Sequence, residues 1–405
     1  MSINPFLQEA QADAAQIDTS GATSVESVKT QLLPSPGFAK WLAGTGGSLA
    51  FTTYQSGRLF FLGARPDGSL YALHRMVGPA MGMALDAQKL WLGCRDQIWR
   101  FTNTGAGTVE DKSYDAIYMP RQSNMVGLSD THDLVADVRF NGQHYDLLYA
   151  NTRMSCIAAP DAHYNFRPVW QPDFITELMP EDRCHLNGLG VVNGELAYAT
   201  ICAKSNEPRG WKPEQVSGGF VIDLRTNTIV CERLSMPHSP RWRPAEKDAR
   251  GGKLWILNSG EGELGYLDFT APTATAPSRF VPVAQCTGFA RGLAFVGDHA
   301  VVGLSRLREK SKDLLSGMPL AKLLQMRGTP AQSGLQVFDT KTGALAHSLT
   351  IEGSVAELYD VAFLPGFTRP FSPGFRLPDL QRQRMNWPVT QSSLNKTSVL
   401  PGESS

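Results

Sequence analysis

The chain has 405 residues, 38 basic and 38 acidic side chains, 42% hydrophobic and 9% aromatic content. This composition is that of a globular protein and excludes the disordered and fibrous classes, while the balanced charge gives no field toward nucleic acid or an anionic membrane surface. The segment MSINPFLQEAQADAAQ lacks the basic and apolar regions of an export signal, and no run approaches about eighteen apolar residues, so neither nucleic acid nor membrane is an expected partner and the expected location is the cytoplasm.

Residues 1–43 are rich in Ser, Gln, Ala and Thr without strand periodicity and read as an N-terminal extension. From residue 44 to 368 short β-rich runs broken by Gly, Asp and Asn recur, which predicts all-β structure. One unit repeats six times, an apolar run and a polar break followed by a second run and a turn: LAFTTYQSGRLFFLG from Leu49, LWLGCRDQIWRFTN from Leu90, LLYANTRMSCIAAP from Leu147, LAYATICAK from Leu196, LWILNSGEGELGYLDF from Leu254 and AVVGLSRL from Ala300.

A further short strand starts at Met81, His132, Asn187, His238, Arg291 and Tyr359, with spacings of 51, 55, 51, 53 and 68 residues. The copy due before Leu49 is absent, and the surplus copy, YDVAFL, is the last. A closed ring reconciles the two, because YDVAFL then supplies the innermost strand of the sheet begun by residues 48–76. The expected fold is a six-bladed β-propeller closed by a C-terminal inner strand joining the N-terminal blade.

Two connections are long, 201–217 and 305–333; the second is expected to contain a short helix and to offer a surface for a protein partner. Residues 369–405 read as a C-terminal tail. The six cysteines are scattered without a C-x-x-C pair, and in a chain without an export signal they are expected to be reduced structural thiols.

In a propeller, the loops leading into the inner strands share one face. The repeat aligns Met81, His132, Asn187, His238, Arg291 and Tyr359 in one column, followed by Gly82, Asp133, Gly188, Ser239, Gly292 and Asp360. Ionisable and amide side chains converging on one axis predict a small-molecule site. His132, His238, Tyr359 and Asp360 are the candidate catalytic residues, imidazole serving as general base or acid and the phenol as a donor to developing charge.

Arg291 is the expected anchor for a carboxylate or phosphate, with Asn151, Asn258 and Ser259 at the ends of the second strands as further substrate contacts. His132, Asn187, His238 and His185 form a candidate ligand set for a divalent metal, zinc, iron or calcium. These readings predict either a hydrolase acting on an anionic metabolite or a non-catalytic binding propeller. The G-x-G-x-x-G of SGEGELG joins two strands and opens no helix, so no dinucleotide site is expected there.

The stretches FTTYQSGRLFFLG, PEDRCHLNGLG, SMPHSPRW, LWILNSGEGELG, RGLAFVGDHAVVGLSR and ELYDVAFLPG resemble, from about residue 38 to 376, a bacterial family of conserved proteins of unknown function. More distantly, the NGL and HDLVAD strand starts are similar to those of the gluconolactonase, strictosidine synthase and paraoxonase propellers. That resemblance implies Asn, Asp and Glu around a divalent cation, usually calcium, and lactonase-like chemistry; Asn187 is the position that corresponds.

Overall fold

The computed structural model describes residues 30–245, 248–269, 279–306 and 317–375. Among the described residues two short helices, Phe38–Gly44 and Pro319–Met326, interrupt otherwise all-β structure. The second lies in the long connection where a helix was expected.

The strands form meandering antiparallel sheets. Leu358–Pro365, Gly47–Thr53, Arg58–Ala64 and Leu70–Met76 make one, so the C-terminal run does pair with the first N-terminal run, Ala362 opposite Ala50 and Phe363 opposite Leu49. Ala80–Leu85, Lys89–Cys94, Gln97–Asn103 and Ala116–Met125 make the next. An eight-stranded sheet follows, but its halves, Thr131–Phe140 to Arg167–Trp170 and Leu186–Val192 to Thr228–Leu234, are joined as one ladder by the single parallel pair Arg139 and Glu195. Pro237–Ala245 to Phe280–Gln285 and Phe289–Val296 to Leu345–Glu352 complete the series.

Second strands such as Gly47–Thr53 are buried along their whole length, whereas outermost strands such as Phe280–Gln285 are half exposed. The difference is physical: a strand between two neighbouring sheets has no wet face and reads as a continuous apolar run. The core accordingly lies in the gaps between successive sheets. Phe51, Phe60 and Leu62 meet Val301, Val337 and Leu349 in one gap, and Trp91 and Ile98 meet Leu147, Tyr149 and Cys156 in another. The inner strands also touch in succession, Ala80–Leu85 against Thr131–Phe140, then Leu186–Val192, Pro237–Ala245, Phe289–Val296 and Leu358–Pro365, which returns to Ala80–Leu85. This is the β-propeller class of fold.

The sheets extend beyond the repeat. Gln31–Pro34 pairs antiparallel with Leu345–Glu352, and Pro370–Phe371 pairs parallel with Ala116–Ile117 while Phe375 stacks on Trp99 at 4.2 Å. The N-terminal extension and the tail read from the sequence thus each contribute residues to a sheet edge. Their polar composition gave no sign of it, because an edge strand has only one neighbour to satisfy.

All six cysteines are buried and free. Burial pushes the Cys184 thiol up to about 12, which removes it as a nucleophile.

Candidate functional site

Every inner strand carries a β-bulge at the aligned column. The register slips between Ala80 and Met83, Thr131 and Leu134, Leu186 and Gly188, His238 and Arg241, and Arg291 and Leu293, and opposite Phe51 and Thr53 it slips in the strand of Tyr359 and Asp360. A bulge breaks the alternation of strand side chains and re-aims them. Consecutive residues such as His132 and Asp133, or Tyr359 and Asp360, therefore both serve the axis, at different levels.

The deeper level is a closed polar network. Asp133 accepts from the Arg241 guanidinium at 2.9 and 3.1 Å and from the Leu189 amide at 3.0 Å. Asp360 accepts from the Met83 and Val361 amides, each at 2.8 Å, and stands 3.6 Å from Arg241. Ser239 accepts from the Gly292 amide at 3.1 Å. Between these residues sit glycines that the next strand presses upon: a Cβ on Gly82 would lie 2.9 Å from Asp133 Cα, one on Gly188 2.4 Å from Pro240, and one on Gly292 2.5 Å from the Val361 nitrogen.

Burial raises the Asp360 pKa above its usual range, with Arg241 pulling it down. Burial opposes the Arg241 charge, but Asp133 and Asp360 outweigh it and the guanidinium is held charged. Asp360, a candidate catalytic residue, is thereby engaged in tying inner strands together.

The upper level gathers the histidines. The His132 ring lies 4.8 Å from His185, 6.4 Å from His238 and 5.4 Å from Tyr359, centroid to centroid. His132 Nδ1 donates to the Asp130 carbonyl at 3.0 Å and to Thr152 Oγ1 at 2.8 Å, and the Thr152 hydroxyl in turn donates to the Leu186 carbonyl at 2.6 Å. His238 repeats the device: Nδ1 donates to the Met236 carbonyl at 2.8 Å and to Ser259 Oγ at 2.9 Å, and that hydroxyl donates to the Ala290 carbonyl at 2.7 Å.

In both cases the carbonyl belongs to the residue two positions upstream, Asp130 or Met236, each with positive φ, 48° and 45°. Such strain in a non-glycine residue persists where the surroundings over-determine it, and it clusters at functional sites. His185 is set differently, its Nδ1 2.9 Å from the Asp182 carboxylate, which also accepts from Trp211 Nε1 at 2.8 Å while the Trp211 ring stacks on His185 at 4.0 Å.

Burial first, then the neighbouring His185 and Arg291, drives the His132 pKa well below the usual imidazole value; for His238 burial acts with Arg291. Both rings are neutral, with the proton on Nδ1 and a lone pair on Nε2. His238 Nε2 is buried without a partner, and so are Asn187 Oδ1, the Tyr359 hydroxyl and Arg291 Nε among the described residues. Asn187 is oriented by its own amide, Nδ2 donating to the Pro237 carbonyl at 3.1 Å. Arg291 spreads its guanidinium over the Phe289 and Tyr359 rings at 5.1 and 4.9 Å.

Above this ring the two long connections meet. Trp211 and Ala203 from one pack with Met318, Leu320 and Leu324 from the other, over Met236 and Phe289. The described part of the second connection thus turns its apolar face inward onto Met236 and Phe289 beside the histidine column.

Two of the expected substrate contacts, Asn258 and Ser259, are otherwise employed, and Asn151 uses its oxygen locally while its buried Nδ2 has no partner among the described residues. Asn258 accepts from the Ser235 amide at 2.7 Å and donates to Glu263 at 3.0 Å. Ser259 bonds His238 and Ala290, and Asn151 accepts from the Met154 amide at 3.2 Å. Hydroxyls at the ends of second strands act as spokes to the next inner strand, Thr52 to the Met81 carbonyl and Ser305 to the Leu358 carbonyl as well as Thr152 and Ser259. Sequence reasoning missed Arg241, Thr152, Asp182 and Trp211. Arg241 carried the one readable signal, a charged residue inside an inner-strand run.

As arranged, the residues do not fit a resident metal. Among the described residues no three His, Cys, Asp or Glu side chains are placed to hold one, and the axial carboxylates that a calcium site needs are neutralised by Arg241.

The fold and this column define a β-propeller whose inner strands carry a buried polar and aromatic column along the axis. Residues 36–372 match the family described as Domain of unknown function (DUF4915), and the chain belongs to it. No curated protein matches the chain in sequence. Solved structures similar to it include the Neurospora crassa Pan2 WD40 domain, with 14% identity and a TM-score of 0.33 over 67% of this chain and 65% of that one. Dihydro-heme d1 dehydrogenase NirN gives 10% and 0.34 over 79% and 75% of the two chains; a luciferin-regenerating enzyme gives 13% and 0.34 over 81% and 98%. No helix among the described residues is long and apolar enough to cross a membrane.

Proposed function

We propose that the inner strands close a six-bladed ring latched by Leu358–Pro365, and that the mouth of its channel binds a small organic anion. Support for the ring comes from the unbroken succession of contacts between inner strands. The observation that carries the site is that Asn187, His238, Arg291 and Tyr359, from four different sheets, each hold a buried polar atom without a partner. Native interiors pair such atoms, because an unpaired one costs about 1–3 kcal/mol. Four on one axis support a site completed by a ligand.

Arg291 anchors the anion. The axial ion pairs of the described residues go to Arg241 and not to Arg291, so its guanidinium, over the Phe289 and Tyr359 rings, has no carboxylate partner among them and lies beside neutral imidazoles. The same geometry supports proton transfer: His238, neutral with Nε2 free, accepts a proton from a bound hydroxyl or water, and Tyr359 and Arg291 donate to the charge that develops. Binding without turnover is the second reading, favoured by the cap of Trp211 and Leu320 over the mouth.

A thermal-shift screen of the full chain against small carboxylates and phosphate esters tests the proposal. Stabilisation by at least one acid that disappears in Arg291→Met is expected; identical shifts in wild type and variant would sink it.

A further inference from the structure

The tautomers at the axis say more about the ligand than its charge. His132 and His238 each place Nδ1 against a backbone carbonyl, which can only accept, and against a hydroxyl whose own proton is committed to another carbonyl. The ring proton is therefore fixed on Nδ1 and Nε2 is fixed as an acceptor. Asn187 is fixed likewise, since Nδ2 donates to the Pro237 carbonyl and Oδ1 is left as the buried unpaired atom. The site thus offers one cation, Arg291, beside acceptors that demand protons from whatever fills it.

An inorganic phosphate dianion or a fully ionised unsubstituted dicarboxylate brings acceptors only and would set lone pair against lone pair at His238 and Asn187. An ammonium group would bring donors, but its charge would meet that of Arg291, which lies within electrostatic reach of both imidazoles. We infer that the ligand is a hydroxylated organic acid, with its carboxylate on Arg291 and its hydroxyl protons on His238 Nε2 and Asn187 Oδ1. This rests on the anion-site reading above and narrows it to a chemical class. A site built to hydrogen-bond a hydroxyl rejects the analogue lacking it far more strongly than it rejects a change of size.

The test is calorimetric titration of the full chain with matched acids: propanoate, lactate and glycerate, then succinate, malate and tartrate. At least tenfold tighter binding is expected with each series' first useful hydroxyl, and the gain should vanish in His238→Phe and Asn187→Leu. Hydroxylated and unsubstituted acids binding equally to wild type would overturn the inference while leaving the anion site standing. Failure of every acid to bind would overturn both. Should either variant fail to fold, the matched ligands on wild type still decide, and nitrogen NMR showing the His238 proton on Nε2 would overturn the inference on its own.

Discussion

His132 and His238 stack across the axis 6.4 Å apart, and each fixes its Nδ1 on the carbonyl two residues upstream. Two imidazoles from different sheets with one anchoring device make a neutral, oriented pair. A protonated pair would have to share that space with Arg291.

This gives a pH dependence. Both folded-state pKa values lie below the unfolded value of about 6.5, so the unfolded chain binds more protons and stability must fall as pH drops through that value. Urea midpoints measured from pH 7.5 to 5 are expected to decrease, and His238→Gln should flatten the decline. A slope unchanged in that variant would show that His238 protonates freely in the folded protein.

The deeper network predicts an asymmetry. Arg241→Met leaves Asp133 and Asp360 buried without their cation and should cost about 3–5 kcal/mol in chemical denaturation. Adding Asp133→Asn and Asp360→Asn should recover a good part of the loss. Asp360, whose folded pKa is raised by burial, stabilises below its usual carboxylate range and loses that contribution as pH rises, opposite in sign to the histidines. Asp360→Asn should therefore remove a stability loss that builds as pH rises from about 4 to about 7, the window in which the histidines act with the opposite sign.

The glycines of the column predict a contrast between two substitutions. Gly292→Ala combines φ of 75° with a Cβ 2.5 Å from the Val361 nitrogen, backbone that cannot give way, and should destabilise by about 3 kcal/mol or more. Gly366→Ala has φ of 80° but nothing within 4 Å and should cost about 1–2 kcal/mol. Thermal unfolding of the two compares them directly; equal losses would mean that the inner strands yield at the bulge.

Closure by the C-terminal strand predicts that a chain ending at residue 355 loses cooperative unfolding, because Gly47–Thr53 then exposes an unpaired edge. A chain ending at residue 376 keeps Leu358–Pro365 and Pro370–Phe371 and should unfold cooperatively. A folded, monomeric shorter chain would argue against the latch.

Much of this architecture was legible. The repeat of an apolar run, a polar break and a second run exposed the strands, and the surplus YDVAFL located the pairing with Leu49 and Ala50. The column brought His132, His238, Arg291 and Tyr359 together because it counts residues along equivalent strands. The bulges were hidden, since a slip of one residue leaves composition unchanged. The roles of Asn258 and Ser259 were hidden too, because a side chain that bonds a ligand and one that bonds a neighbouring backbone are the same residue in sequence. Trp211 and Asp182 lie in loops whose lengths carry no register, so their approach to His185 had no pattern to betray it.

If Arg291 and His238 complete their bonding through a ligand, a crystal structure of the full chain grown with malate or tartrate will show density for the acid against the Arg291 guanidinium, with a hydroxyl within hydrogen-bond distance of His238 Nε2. Water alone at both atoms, or Arg291 paired with a carboxylate of the chain itself, would rule that ligand out.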